Sequence, residues 1–143
     1  MKVVLDTNIL ISAFVFPGGA PEMVYRAALE GRITLITSPP LLAEFGRVLS
    51  DKFGWDARMV QQAVTQVARI GTVVRPAESV EAIDEDPADD RVLEAAAAAD
   101  AATIVSGDRH LLRLGRWRGI RIEKAAPFSE RLEVVLGNRC SIH

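Results

Sequence analysis

The sequence predicts an α/β protein built on a parallel sheet with helices covering both faces. Short β-branched or apolar runs recur along the chain: Val3 to Leu5, Ile33 to Thr37, Thr72 to Val74, Thr103 to Ser106 and Ile120 to Ile122. Each is too short for a helix and reads as a buried strand. Between them lie segments with helical periodicity, and that alternation builds right-handed crossovers and a parallel sheet. A third observation concerns what the sheet is for. Asp6 and Asp108 each follow a strand, at the carboxyl edge where such sheets bind ligands.

The elements follow in order. Ile9 to Phe16 reads as a helix leaving the first strand and ending at Pro17-Gly18-Gly19. Pro21 to Glu30 is a second helix with Met23, Val24, Ala27 and Ala28 on one face and Gly31 as its stop. Ser38-Pro39 opens the next in the order cap then Pro. There Leu41, Leu42, Phe45, Val48 and Leu49 form one stripe. Glu44 lies at the edge of that stripe, beside Leu41 at i−3 and Val48 at i+4. From that edge a carboxylate can reach into a cleft between helix and sheet, or it can simply face solvent.

Asp56 to Ile70 is amphipathic, and Arg91 to Ala102 is an Ala-rich helix whose small side chains permit close packing on the sheet. Asp86-Pro87 reads as its cap and first residue, with Asp89 and Asp90 in the first turn, where acids favour the helix dipole. Arg109 to Leu114 is a short helix before the last strand, and Gly107 lets the backbone turn tightly ahead of it. Ser129 to Leu136 reads as a terminal helix, with a mobile tail over 137–143.

Composition sets limits. A chain of 143 residues with 49% hydrophobic content has enough apolar material for one domain. A net charge of −2 gives no global basic bias, so nucleic-acid binding would need a local basic face. The single cysteine, Cys140, cannot close an intramolecular disulfide and fits a reducing compartment. The apolar run from Ile9 to Phe16 is too short to span a bilayer and lacks a cleavage pattern. The expected location is the cytoplasm, with no membrane partner.

Carboxylates scattered in sequence but convergent in space are how proteins hold catalytic Mg²⁺ or Mn²⁺. Asp6, Glu44 and Asp108 fit that pattern, together with the acids from Glu81 to Asp90. Helix capping is the alternative reading of Asp6, Asp86 and Asp108 taken singly. It does not call for six acids, Glu81, Asp84, Glu85, Asp86, Asp89 and Asp90, within ten positions. Their mutual repulsion costs stability unless solvent or a cation offsets it. Asn8 is placed to orient Asp6 or a bound water, or to stabilise its own turn. His110 reads as a surface histidine after the strand, with proton shuttling as its alternative role.

Four segments together resemble the PIN-domain ribonucleases: Asp6-Thr7-Asn8 after a strand, Ser38 to Leu49 with Glu44, Asp86-Pro87-Ala88-Asp89-Asp90-Arg91-Val92-Leu93-Glu94, and Ile104-Val105-Ser106-Gly107-Asp108. The branch that looks most similar is that of the VapC-type toxins of bacterial toxin–antitoxin systems. The resemblance covers roughly residues 1–125. It implies a Rossmann-like three-layer α/β/α sandwich with an acidic pocket for Mg²⁺ or Mn²⁺. It divides the chain into a nuclease domain, 1–126, and a partly mobile C-terminal extension, 127–143. Carried over by position, the catalytic acids are Asp6, Glu44, Asp89 and Asp108, with Asn8 and Ser106 supporting. Metal contact falls to Asp6, Asp108 and Asp89 or Asp90. Asp90 stands where the branch commonly has Asn, and Ala88 where a further Asp is common.

The reaction so implied is metal-dependent cleavage of RNA. The basic stretch from Arg109 to Lys124 holds Arg109, Arg113, Arg116, Arg118, Arg121 and Lys124, interrupted by Trp117. Arg109 and Arg113 are the nearest candidates for RNA contact. Trp117 can stack a base or belong to the core. Implied partners are RNA, a cognate antitoxin and a second copy in a homodimer, for which Trp117 and Val24-Tyr25 are possible surfaces. A non-catalytic PIN-like module that binds RNA or protein is the alternative from a different class. A phosphotransferase or dehalogenase-like hydrolase fits less well, since that chemistry wants an acid where this chain has Asn8.

Overall fold

The structure is a computed structural model that describes residues 1–80 and 87–141, with side chains over 1–80 and 89–134. The strands are β1 Lys2–Leu5, β2 Thr34–Thr37, β3 Thr72–Val73, β4 Thr103–Val105, β5 Arg116–Trp117 and β6 Ile120–Glu123. The helices are α1 Thr7–Val15, α2 Ala20–Leu29, α3 Pro39–Phe53, α4 Ala57–Ile70, α5 Pro87–Ala99, α6 Arg109–Leu114 and α7 Ala125–Ser141. The sheet order is β3-β2-β1-β4-β6-β5, parallel throughout except where β5 pairs antiparallel with β6. The predicted fold class holds.

Period-two alternation sorts each strand between two cores. Val3, Leu5, Leu35 and Val105 face a cluster completed by Phe45, Val24, Val67 and Phe128. Val4, Ile36 and Ile104 face the other, with Val92, Leu93, Ala95 and Ala96 from α5 and Leu111 from α6. The alanines of α5 let its backbone lie close to β1 and β2, as the composition predicted. On the first face, Phe14 meets Tyr25 and Phe45 at ring separations of 5.1 and 5.3 Å, a tilted geometry favourable for aromatic pairs.

Caps fix the helix boundaries. Ser38 Oγ accepts from Leu41 N–H, and Asp56 accepts from Met59 N–H at 2.8 Å, each contributing about 1 kcal/mol. Gly31, at φ +75°, ends α2 as predicted: Arg32 N–H donates to Ala27 O and Gly31 N–H to Ala28 O. The same motif closes α5 on Asp100, a non-glycine at φ 54°. That helix ends at Ala99, not Ala102, because Ala102 N–H already donates to Lys2 O alongside β1.

Three further boundaries differ from expectation. β5 was not foreseen. It joins β6 through Arg118 and Gly119, both at positive φ, in a tight turn with no Asn-Gly or Asp-Gly signal. The terminal helix starts at Ala125 and runs to Ser141, where Ser129 to Leu136 was expected, and it buries Phe128 and Leu132 in the first core. Val24 and Tyr25 are buried in that same core, so they offer no surface to a second copy. The expected cap at Asp86 and the acids Glu81, Asp84 and Glu85 lie outside the described residues.

Candidate metal-binding site

The site begins with strand register. Leu5 pairs with Val105 on adjacent parallel strands, and Asp6 N–H donates to Val105 O at 3.0 Å. The next residue on each strand, Asp6 and Ser106, therefore leaves the sheet at the same height. Ser106 Oγ donates to Asp6 Oδ2 at 2.6 Å, while Asp6 Oδ1 accepts from Thr7 N–H at 2.7 Å as the N-cap of α1. Ser106 Oγ also accepts from Asp108 N–H at 2.9 Å. One buried hydroxyl thus locks the two strand-end acids into a single unit.

Asp108 caps α6, its Oδ1 accepting from His110 N–H at 2.8 Å. Asn8 is exposed but bridges the two loops, its Oδ1 accepting from Gly107 N–H at 3.3 Å. Gly107 itself is not in the left-handed region, and an added Cβ would meet Asn8 at 3.8 Å, an ordinary contact. The turn therefore does not draw on the conformational freedom of glycine that the sequence offered there. Ser106 turns the chain instead, through its bond to Asp108 N–H.

Glu44, half-buried on α3, faces the same edge, because its charge is among those that act on Asp6. Burial pushes the Asp6 carboxyl up from 3.8 to about 6, and the nearby Glu44 and Asp108 add to that effect. The Ser106 and Thr7 hydrogen bonds work against it. Asp89 and Asp90 are both buried in the first turn of α5. Asp89 Oδ2 lies 3.7 Å from His110 Nδ1, which in turn lies 3.6 Å from Asp108 Oδ1. Asp89, Asp108 and His110 each bring one donor atom to within 4.8 Å of the others, a spacing on which one ion can be shared. Asp6, Glu44, Asp89 and Asp108 are thus linked in a chain of neighbours at the carboxyl edge of the sheet.

The sequence reads His110 as a surface histidine, but its Nδ1 is buried and its side chain only 20% exposed. With Asp108 as N-cap, it occupies the first turn of α6 beside the capping carboxylate. That much was legible in Asp108-Arg109-His110, but the approach of α5 was not. The basic stretch does not form one face. Arg109 and Arg113 are exposed on α6 near Asp108. Arg116, Arg118 and Arg121 belong to the β5–β6 hairpin, with Arg121 level with Thr103 and so toward the far end of the sheet from Asp108. Trp117 is half-buried against the second core, under the Arg118 guanidinium at 4.3 Å, and Arg118 also binds Glu78 at 2.8 Å. Of its two readings, this geometry favours the core.

A buried carboxylate among other carboxylates, with serine and backbone donors steadying it, is a donor set suited to a hard divalent cation. Such an ion would offset each of the penalties that raise Asp6. Among the described residues no helix is long and apolar enough to cross a membrane.

The family model of the PIN domain matches residues 2–110. A curated relative, an uncharacterised protein of Methanocaldococcus jannaschii, is 29% identical over 118 residues, spanning 80% of this chain and 75% of that protein. Among solved structures, a chain of VapBC-1 from nontypeable Haemophilus influenzae superposes with a TM-score of 0.59 at 14% identity. The match covers 88% of this chain and 99% of that one. At that identity the likeness concerns the fold alone.

Proposed function

The chain belongs to the PIN-domain family, and from that premise we propose that it is a divalent-metal-dependent endoribonuclease, the toxin of a toxin–antitoxin pair. The observation that carries this reading is the convergence of Asp6, Glu44, Asp89 and Asp108 at the carboxyl edge of the sheet. In this reading Asp6, Asp89 and Asp108 hold Mg²⁺ or Mn²⁺, with Glu44 completing the acidic quartet. Asp89 is preferred to Asp90 as the third acid because its carboxylate clusters with the donor atoms of Asp108 and His110.

When bound, the ion supplies an activated water and stabilises charge on the phosphate and leaving oxygen. The protein's own residues do the positioning. Thr7 N–H and Ser106 Oγ hold both oxygens of Asp6 in place, and Ser106 fixes the backbone that presents Asp108. Asn8 ties the β4–α6 loop to α1. Arg109 and Arg113, exposed on α6, would meet the phosphate backbone of a single-stranded or looped RNA. No protein nucleophile is required.

The antitoxin would enter the acidic pocket with an Arg or Lys and neutralise it. A homodimer in the cytoplasm completes the expectation. The test is cleavage of single-stranded RNA with Mn²⁺ by wild type and by Asp6→Asn. The expected loss is about 100-fold or more. Equal cleavage by the two proteins would remove the acidic quartet from the mechanism, and RNA binding without any cleavage would favour a non-catalytic module.

A further inference from the structure

We propose that His110 is a ligand of the metal centre, giving the site a nitrogen donor besides its carboxylates. This rests on the metal-dependent reading above and adds a residue to it.

The imidazole Nδ1 is buried and has no hydrogen-bond partner among the described residues. Its two polar neighbours, Asp108 Oδ1 at 3.6 Å and Asp89 Oδ2 at 3.7 Å, are too far for hydrogen bonds. A desolvated ring nitrogen left without a partner costs stability. Distances of this size have another natural origin, since donors that share one cation stand about 3–4 Å apart. The donor atoms of Asp89, Asp108 and His110 lie within 4.8 Å of one another, so a small contraction brings all three onto one ion.

The ring is also anchored. His110 N–H donates to Asp108 Oδ1 at 2.8 Å, which holds the residue in the first turn of α6 over the carboxylate it would share the ion with. The side chain is 20% exposed, enough for an ion to enter from solvent. A mixed nitrogen and oxygen set changes ion preference. Imidazole adds affinity for Mn²⁺ and later first-row ions, whereas Mg²⁺ prefers oxygen and gains little.

The experiment titrates Mn²⁺ alone into the full chain and reads pulsed electron paramagnetic resonance. Wild type should show the ¹⁴N modulation of a coordinated imidazole. His110→Gln should lose that modulation and bind Mn²⁺ about tenfold or more weakly, with Mg²⁺ affinity changed by less than about threefold. The wild-type spectrum decides the matter even if the variant folds poorly. Mn²⁺ bound by wild type without ¹⁴N coupling, or coupling that survives in His110→Gln, overturns the assignment of His110 and leaves the acidic quartet standing. No Mn²⁺ binding by wild type, or binding undiminished by Asp6→Asn, overturns the metal-dependent reading itself, and His110 with it.

Discussion

The two halves of the acidic edge are built in opposite ways. Asp6 and Ser106 come from neighbouring parallel strands, and their side chains are held by short bonds of 2.6 to 2.9 Å. Asp89, Asp108 and His110 come from the first turns of two different helices, and their facing atoms stop 3.6 to 3.7 Å apart. The strand half is positioned by the protein alone, because ladder register fixes its geometry before any side chain is chosen. In the helix half, the side chains meet only through tertiary packing. The contrast separates a rigid anchor from a half whose spacing suits a shared ion.

The largest expected effect tests the helix half. Asp89→Asn should lower Mn²⁺-dependent cleavage by about 100-fold or more, and Asp90→Asn by less than about tenfold. The reverse order in single-turnover rates would shift the third acid to Asp90 and break the link between Asp89 and the Asp108 corner.

A smaller effect tests the strand half. The folded state keeps the Asp6 proton up to about pH 6, whereas the unfolded chain releases it near 3.8. Between those values the folded state binds more protons, so in metal-free protein stability falls as pH rises from about 4 to 6. The loss from this group is about 3 kcal/mol, an upper estimate. Asp6→Asn should remove that slope and raise the melting temperature at pH 7. Thermal melts in chelator across that window would check it, and an unchanged slope would mean that burial of Asp6 is relieved in solution.

The smallest effect concerns the loop joining the halves. Gly107→Ala should change stability by less than about 0.5 kcal/mol, since its Cβ meets only Asn8 at 3.8 Å. A loss of more than 1 kcal/mol by denaturant titration would show that the turn needs glycine after all, and that Ser106 does not control it.

Much of the architecture was legible in the sequence. Helix caps at Ser38 and Asp108 carry their own signal, because a side-chain oxygen serving nearby N–H groups is a local event. The β5–β6 hairpin was missed because a two-residue strand, Arg116-Trp117, has too little alternation to read. The length of α7 exceeds the expected span because its anchors, Phe128 and Leu132, are recognisable as core only once α2 forms the surface they enter. The basic stretch failed as a single face for a similar reason. A helix and a hairpin share those residues and aim them at different parts of the sheet.

The sequence by itself determined the alternation of strands and helices, the strand-end positions of Asp6 and Asp108 and the place of Glu44 at the edge of its stripe, while the candidacy of Asp89 came only with the family resemblance. Those follow from local periodicity and capping, which depend on residues only a few positions apart. Only the tertiary structure decided that Ser106 holds Asp6, that Asp89 approaches Asp108, and that His110 stands between them. Each of those contacts joins elements distant in the chain. Their distances are set by how α5 and α6 pack on the sheet, and nothing in a window of neighbouring residues encodes that.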